Sequence, residues 1–231
     1  MALSFDTKAR IPATALQTTT SAASASYTCG ANAGVLVVMV CYAGVTARTG
    51  GAPTYDNVAL TQVQSRQGVT ETSVEMWYIS TPPVNQSLTV NVPNDNGVTM
   101  WVYLASGNTT NGYTYALDSS GALSTTASNP SASFTPTTSP TLVFAVVATG
   151  DDSFAPTVRA GTSLYEEDIA TYGSACQYLV KSGTTPQVMF WAEVTNDDWG
   201  AIAAAFKEVP KPPPLKVNRA GLTGASGFMY Y

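Results

Sequence analysis

A chain of 231 residues is long enough to bury a core of its own, yet only 11% of its residues are charged and its formal net charge is −5. Because a nucleic-acid surface needs clustered Lys and Arg, this composition argues against nucleic acid as a partner. Histidine is absent, which excludes Ser-His-Asp and Cys-His catalysis and histidine-bound zinc. We expect no cofactor and no metal site.

Neither a signal peptide nor a membrane helix is predicted. Residues 1–6 lack the basic and apolar regions of a secretion signal. No apolar run approaches the roughly 20 residues that a membrane helix needs. We therefore expect no membrane partner, and a protein of this kind that acts outside a cell would leave it in an assembled particle or by lysis.

Three cysteines, Cys29, Cys41 and Cys176, cannot all pair within one chain. Cys29 and Cys41 flank the first apolar run and could form a disulfide if they lie on neighbouring segments. We favour free thiols that pack as small hydrophobic side chains.

Three apolar runs predict the centre of the fold. Alternation over residues 14–20 first predicts a short edge strand. Residues 34–41 then form an unbroken apolar run rich in β-branched side chains, which indicates a strand buried on both faces. Residues 142–148 and 199–206 have the same character, so we expect the three runs to share one core. Residues 201–206 could be helical by propensity, but their short length and β-type neighbours favour a strand.

Several alternating strands follow the first apolar run. Residues 72–79 alternate cleanly between two faces. Residues 87–92 alternate in the same way and end in the turn cluster 93–97. We therefore predict that residues 98–105 are the hairpin partner of that strand.

The remainder of the body is predicted to continue as paired strands. Residues 106–130 are rich in turn residues and indicate a long surface connection, with only a brief strand near residues 113–117. Two further pairs are predicted, one between residues 131–135 and 141–149 and one between residues 187–194 and 199–207.

Roughly ten to twelve short strands at regular spacing predict an all-β fold, an antiparallel β-sandwich of jelly-roll-like type over residues 1–209. Residues 210–231 change in composition and are predicted to form an extended Pro/Gly-rich C-terminal arm. A disordered tail and an arm that docks onto a neighbour both fit; because exposed aromatics are costly in water, we take docking as the hypothesis. Its predicted partner-binding residues are Pro212, Pro213, Pro214, Leu215, Leu222, Phe228, Met229, Tyr230 and Tyr231.

The order of five segments points to a known kind of domain. These segments are residues 34–38, residues 53–63, residues 76–79 followed by Pro82-Pro83, residues 88–92, and Asp197-Asp198-Trp199. Their order resembles a β-sandwich domain that recurs in tailed-phage virion proteins and in secreted bacterial surface proteins. The resemblance covers about residues 13–209 and implies a jelly-roll-like scaffold with a structural or adhesive role. It carries no functional residues.

Acidic clusters at residues 151–152, 166–168 and 197–198 are what a hydrolase or a calcium site would need. They lack the spacing of a calcium loop, and we interpret them as solvated loop carboxylates. Tyr113 and Tyr115, in the predicted long connection, are the best candidates for an exposed ring pair that contacts a glycan.

Together these features predict a non-enzymatic structural protein of a phage virion, such as a capsid decoration, head-fibre or tail-associated subunit. Its expected location is the virion, and its expected partners are other virion proteins and copies of itself, engaged through the C-terminal arm. The alternative is a carbohydrate-binding or adhesin module that contacts a host-surface glycan. A hydrolase that uses acidic pairs is a third hypothesis.

Overall fold

The computed structural model describes residues 3–11, 20–44, 46–69, 72–127, 129–150, 157–158, 163–169, 172–192 and 197–211. Within these ranges it contains seventeen strands and no helix, which confirms the all-β antiparallel class. The strands are β1 Ser4–Ile11, β2 Ala23–Thr28, β3 Ala33–Ala43, β4 Thr54–Tyr55, β5 Val58–Ala59, β6 Thr61–Gln67, β7 Thr72–Ser80, β8 Ser87–Val92, β9 Met100–Asn108, β10 Tyr113–Ala127, β11 Ser131–Phe134, β12 Thr141–Thr149, β13 Thr157–Val158, β14 Ser163–Ile169, β15 Tyr172–Lys181, β16 Gln187–Ala192 and β17 Asp197–Pro210.

The same strand topology occurs twice along the chain. In the first half, β1 pairs with β9, β2 with β8, and β3 with β7. In the second half, β10 pairs with β17, β11 with β16, and β12 with β15. Pairing the first strand with the last, the second with the last but one, and so inward is the jelly-roll pattern. The body is therefore two jelly-roll-like sandwiches in tandem.

The two sandwiches stack into four layers. Outer sheet 1 has the order β2-β8-β4-β5 and inner sheet 1 the order β1-β9-β3-β7-β6. Inner sheet 2 has the order β10-β17-β12-β15-β14 and outer sheet 2 the order β11-β16-β13. Apolar side chains fill the space between each outer sheet and its inner sheet, and a central core lies between the two inner sheets.

The central core explains the unbroken apolar runs. In β3, Val37 and Met39 point into this core, whereas Val38 and Val40 point toward outer sheet 1. Because an inner strand is covered on both faces, nearly every one of its side chains must be apolar. Strands β3, β12 and β17 all contribute to the central core, which confirms the expectation that the three runs share one core. Residues 201–206 are part of a strand, as predicted.

One polar cluster inside the central core joins the two halves. Ser174 of β15 accepts a hydrogen bond from Trp101 Nε1 and is hydrogen-bonded to Tyr103 Oη, and both aromatic residues lie on β9. A buried polar group left without a partner costs about 1–3 kcal/mol. The cluster therefore favours one way for β9 and β15 to face each other.

The three strand pairs predicted between sequence neighbours are wrong. Strand β8 pairs with β2 and β4, whereas β9 pairs with β1 and β3. Likewise, β11 pairs with β16 instead of β12, and β17 pairs with β12 instead of β16. In each case the first strand alternates and enters an outer sheet, while the second is apolar on both faces and enters an inner sheet. The turn at residues 93–97 therefore connects two layers instead of closing a hairpin.

The predicted surface connection over residues 106–130 is also wrong for most of its length. It contains β10, a strand of 15 residues that pairs with β17 from end to end. Serine, threonine and glycine in β10 have no strong strand pattern of their own, and the long partner strand supplies the context. The edge strand predicted over residues 14–20 falls, except for its last residue, outside the described residues.

All three cysteines are buried and free, so the preference for thiols over a Cys29–Cys41 disulfide is confirmed. Burial raises the pKa of the Cys29 thiol to about 11. That thiol therefore stays protonated near neutral pH, as expected for a side chain that acts as a small hydrophobe.

Candidate functional site

The C-terminal arm leaves the body from a central strand. Strand β17 pairs with β10 on one side and β12 on the other, and its register with β10 runs as far as Tyr113 opposite Pro210. The backbone N–H of Lys211 then donates to the oxygen of Gly112 at 2.9 Å. The exit point of the arm is therefore fixed by the backbone up to Lys211. The predicted partner-binding residues, from Pro212 to Tyr231, lie outside the described residues and stay a prediction.

A recess of about 340 Å³ lies at this exit point. Lys211 lines it together with Pro82, Pro83 and Val84, which follow β7, and with residues 31–33 and 109–111. The base of the arm and the first half of the body thus line the same recess, although the strand that carries the arm belongs to the second half.

Glu208 fastens the connection between the halves to β17. Its Oε1 accepts hydrogen bonds from Thr109 Oγ1 at 2.6 Å and from the backbone N–H of Thr110 at 2.5 Å. Burial alone raises the pKa of Glu208, but these hydrogen bonds outweigh it and hold the pKa below its ordinary value of 4.5.

Asp118, on β10, is a second carboxylate with several hydrogen-bond donors, and β10 pairs with the strand that carries Glu208. It accepts hydrogen bonds from Thr137 Oγ1 and Thr137 N at 2.5 and 2.6 Å, and Lys207 Nζ lies 3.3 Å from its Oδ1. Burial raises the pKa of Asp118, but the bonds from Thr137, Lys207 and Thr138 prevail and lower it below 3.8.

These two carboxylates predict acid sensitivity. A carboxylate with a lowered pKa stabilises the fold fully above its unfolded pKa, and that contribution disappears as the pH falls through the folded pKa. We therefore expect the free energy of unfolding to decrease as the pH is lowered past about 4.5. In the double variant Glu208→Gln, Asp118→Asn the acid-induced loss should shrink, as measured by denaturant unfolding between pH 7 and pH 3. The exposed Asp95→Asn serves as the control, and a double variant as acid-sensitive as the wild type would contradict the prediction.

Tyr113 and Tyr115, the predicted glycan-contacting pair, do not form one exposed surface. Tyr113 is exposed at 39%, but Tyr115 is completely buried in the central core and its Oη donates to the oxygen of Asn108 at 2.5 Å. Burial raises the pKa of Tyr115 far above its ordinary range. The expectation that both rings are exposed is wrong, because Tyr115 packs in the central core, whereas Tyr113 is the first residue of β10.

Among the acidic clusters, Asp198 is buried rather than solvated. It is 2% exposed and accepts hydrogen bonds from the backbone N–H groups of Val69 and Thr72, at 2.6 and 3.3 Å. The carboxylate therefore ties Val69, after β6, and Thr72, at the start of β7, to β17, which corrects its interpretation as a loop carboxylate. Residues 151–152 and the side chains of residues 166–168 lie outside the description. No three potential metal ligands come together in the part of the chain that the structure describes.

A polar cleft of about 660 Å³ opens on the outward face of inner sheet 1, at the β6 edge. Arg48, buried at one wall, donates to Glu75 Oε2 at 2.8 Å and to the backbone oxygens of Gly51 and Pro93 at 2.8 and 2.9 Å. Trp77 Nε1 donates to the same Glu75 Oε2 at 2.8 Å, and the Arg48 guanidinium carbon lies 5.6 Å from the Trp77 ring centroid. The ring is thus held in a fixed orientation.

Strand β6 supplies the other wall of this cleft. Gln62, Ser65 and Gln67 line it, and the register places Gln62 opposite Trp77 and Ser65 opposite Glu75. Residues directly opposite in a strand pair share a face, so these neutral side chains lie beside the ring and the ion pair. None of the three side chains makes a hydrogen bond within the described ranges.

Comparison with family models, with curated proteins and with solved structures finds no match for this chain. Within the described ranges, no helix has the length and apolar character that crossing a membrane requires.

Sequence reasoning missed the cleft, although one signal was present. Glu75 interrupts the strand over residues 72–79 at a position whose neighbours are apolar. A charged side chain on a buried face needs a partner of opposite charge. Arg48 is that partner, but it lies 27 residues earlier in the chain, and only the fold brings the two together.

Proposed function

We propose that the protein is a non-enzymatic structural subunit of a phage virion, a capsid decoration, head-fibre or tail-associated protein, held in place by its C-terminal arm. The observation that supports this most is the exit of the arm from β17. A segment that attaches a subunit to a particle must transmit load into a part of the fold that resists it. Strand β17, paired on both sides, is such a part.

Strand geometry explains the resistance. In an antiparallel pair the hydrogen bonds run perpendicular to the strands. A pull along the arm therefore loads the bonds to β10 and β12 sideways and together, instead of opening them one at a time. Strand β17 has 14 residues, and most of its middle section is completely buried. The load is thereby spread into the central core that both halves share.

The composition of the arm supports attachment to protein surfaces. Its prolines favour an extended chain that reaches across a neighbouring surface, and Phe228, Met229, Tyr230 and Tyr231 offer apolar area for burial. The proposed partners are copies of the same chain and other virion proteins.

Removing residues 212–231 tests the role of the arm. The cut belongs after Lys211, because Val209 and Pro210 pair with β10 and Lys211 bonds to Gly112. By sedimentation velocity we expect the complete chain to form oligomers and the truncated chain to be monomeric. Both should unfold at the same denaturant concentration, since the truncation leaves every described contact in place.

A variant with an arm of unchanged length distinguishes the effect of arm length from that of its apolar side chains. Phe228→Ser with Tyr230→Ser keeps the arm but removes apolar area, and it should associate as weakly as the truncated chain. Sedimentation that is identical for the complete and truncated chains would refute attachment through the arm.

A further inference from the structure

The cleft between β6, β7 and residues 47–52 has the features of a ligand site, and it lies apart from the arm. Its volume of about 660 Å³ falls within the range of about 300–1,000 Å³ found for small-molecule sites. Outer sheet 1 ends in β5, a strand of two residues, and leaves the outward face of β6 open. Polar side chains on this face are therefore accessible.

Glu75 points to the kind of group that binds there. Its side chain is 6% exposed, and its Oε2 accepts both the Arg48 and the Trp77 hydrogen bonds. No hydrogen bond from the described residues reaches the other oxygen, Oε1. A carboxylate oxygen is an acceptor only, so a ligand completes this site by donating a hydroxyl or N–H hydrogen.

The ion pair between Arg48 and Glu75 disfavours strongly charged ligands. The Glu75 carboxylate would repel an anionic ligand, and the Arg48 guanidinium would repel a cationic one. The two groups lie 2.8 Å apart, so a ligand that approaches one also meets the other. Arg66 also lines the cleft, but the register places it opposite Val74, on the other face of β6 from Gln62 and Ser65, and it has an interaction of its own. The charged pair on the cleft face is neutral as a unit, which favours a neutral ligand that is rich in hydroxyl groups.

The remaining walls match such a ligand. The amides of Gln62 and Gln67 each offer donors and an acceptor, and Ser65 offers a hydroxyl. Trp77 adds a half-buried ring whose orientation is fixed by its bond to Glu75. A flat apolar surface beside neutral donors and acceptors is what a pyranose ring requires, since it carries hydroxyls at its rim and C–H groups on its faces.

We propose that this cleft binds a neutral saccharide, with Glu75 Oε1, Gln62, Ser65 and Gln67 as hydrogen-bonding groups and Trp77 as the apolar contact. This goes beyond the attachment role of the arm and does not depend on it.

Tryptophan fluorescence tests the proposal directly. Of the four tryptophans, Trp101, Trp191 and Trp199 are at most 2% exposed, so Trp77 should account for nearly all quenching by acrylamide. The probes are cellohexaose, xylohexaose, maltohexaose and chitohexaose, with hexagalacturonate as the anionic comparison. At least one neutral probe should protect the complete chain from quenching, and titration calorimetry should give its affinity.

Exposed substitutions then locate the site. Gln62→Ala with Gln67→Ala should weaken binding at least about tenfold, the loss expected from two neutral hydrogen bonds. The matched control Gln86→Ala changes an exposed glutamine outside the cleft and should bind as the wild type does. Equal affinity of the double variant and the wild type would overturn the proposal. So would an absence of binding to every neutral probe at 10 mM, or a preference for hexagalacturonate that salt abolishes.

Discussion

Replacing Phe206 by alanine should destabilise the body by about 3–5 kcal/mol, the cost of removing a buried aromatic ring. Phe206 of β17 is completely buried, and its ring centroid lies 5.3 Å from that of Tyr78 and 6.0 Å from that of Phe144. Tyr78 belongs to the first half and Phe144 to the second, so the ring packs on both sides of the central core. Guanidinium chloride unfolding measures the loss.

Phe206→Leu is the control for this change. It keeps most of the side-chain volume and should cost less than about 1.5 kcal/mol. If Phe206→Ala lost less than about 1 kcal/mol, the ring would not occupy the shared core, and the stacking of the two inner sheets would be incorrect.

Gly121→Ala should cost about 3 kcal/mol, at the upper end of overpacking. A Cβ at this position in β10 would lie 1.7 Å from the backbone oxygen of Ser133 and 2.8 Å from its carbonyl carbon. Ser133 lies in β11 of outer sheet 2, so a whole strand would have to move. A loss of stability, measured by thermal and denaturant unfolding, is the expected result.

Gly200→Ala provides a matched comparison in another strand. Its Cβ would lie at least 3.5 Å from the nearest atom, which is ordinary contact. This variant should stay within about 1 kcal/mol of the wild type. Equal effects of the two substitutions would show that β10 does not pass so closely beneath β11.

Hydrophobic patterning was enough to predict the strands that build the central core, but not their partners. The unbroken apolar runs in β3, β12 and β17 indicate burial on both faces wherever the strands lie. In a jelly roll the first strand pairs with the last, so partner strands are far apart in the sequence. Local hydrophobic patterns therefore do not identify them. Turn residues such as Asn94 and Gly97 mark a change of direction without saying whether the chain returns to the same sheet.

A short stretch of sequence recurs at corresponding places in the two halves. The tripeptide Ala-Pro-Thr occurs at residues 52–54 and again at residues 155–157. Its threonine begins β4 in the first half and β13 in the second, which occupy corresponding places in the outer sheets.

The candidate sites depend on contacts that no local pattern contains. Asp198 reads as half of an acidic loop pair, but it is buried because it satisfies two backbone N–H groups near residue 70. Tyr115 follows many turn residues, yet the pairing of β10 with β17 carries it into the core. In both cases a distant strand determines whether the side chain faces solvent.

A rigid body that transmits load from the arm requires both halves to unfold as one unit. Differential scanning calorimetry of the complete chain tests this most directly. Because one core joins the two inner sheets, we predict a single transition whose calorimetric and van't Hoff enthalpies agree. Two separable transitions, or a calorimetric enthalpy near twice the van't Hoff value, would show that the sandwiches unfold independently and would contradict the account.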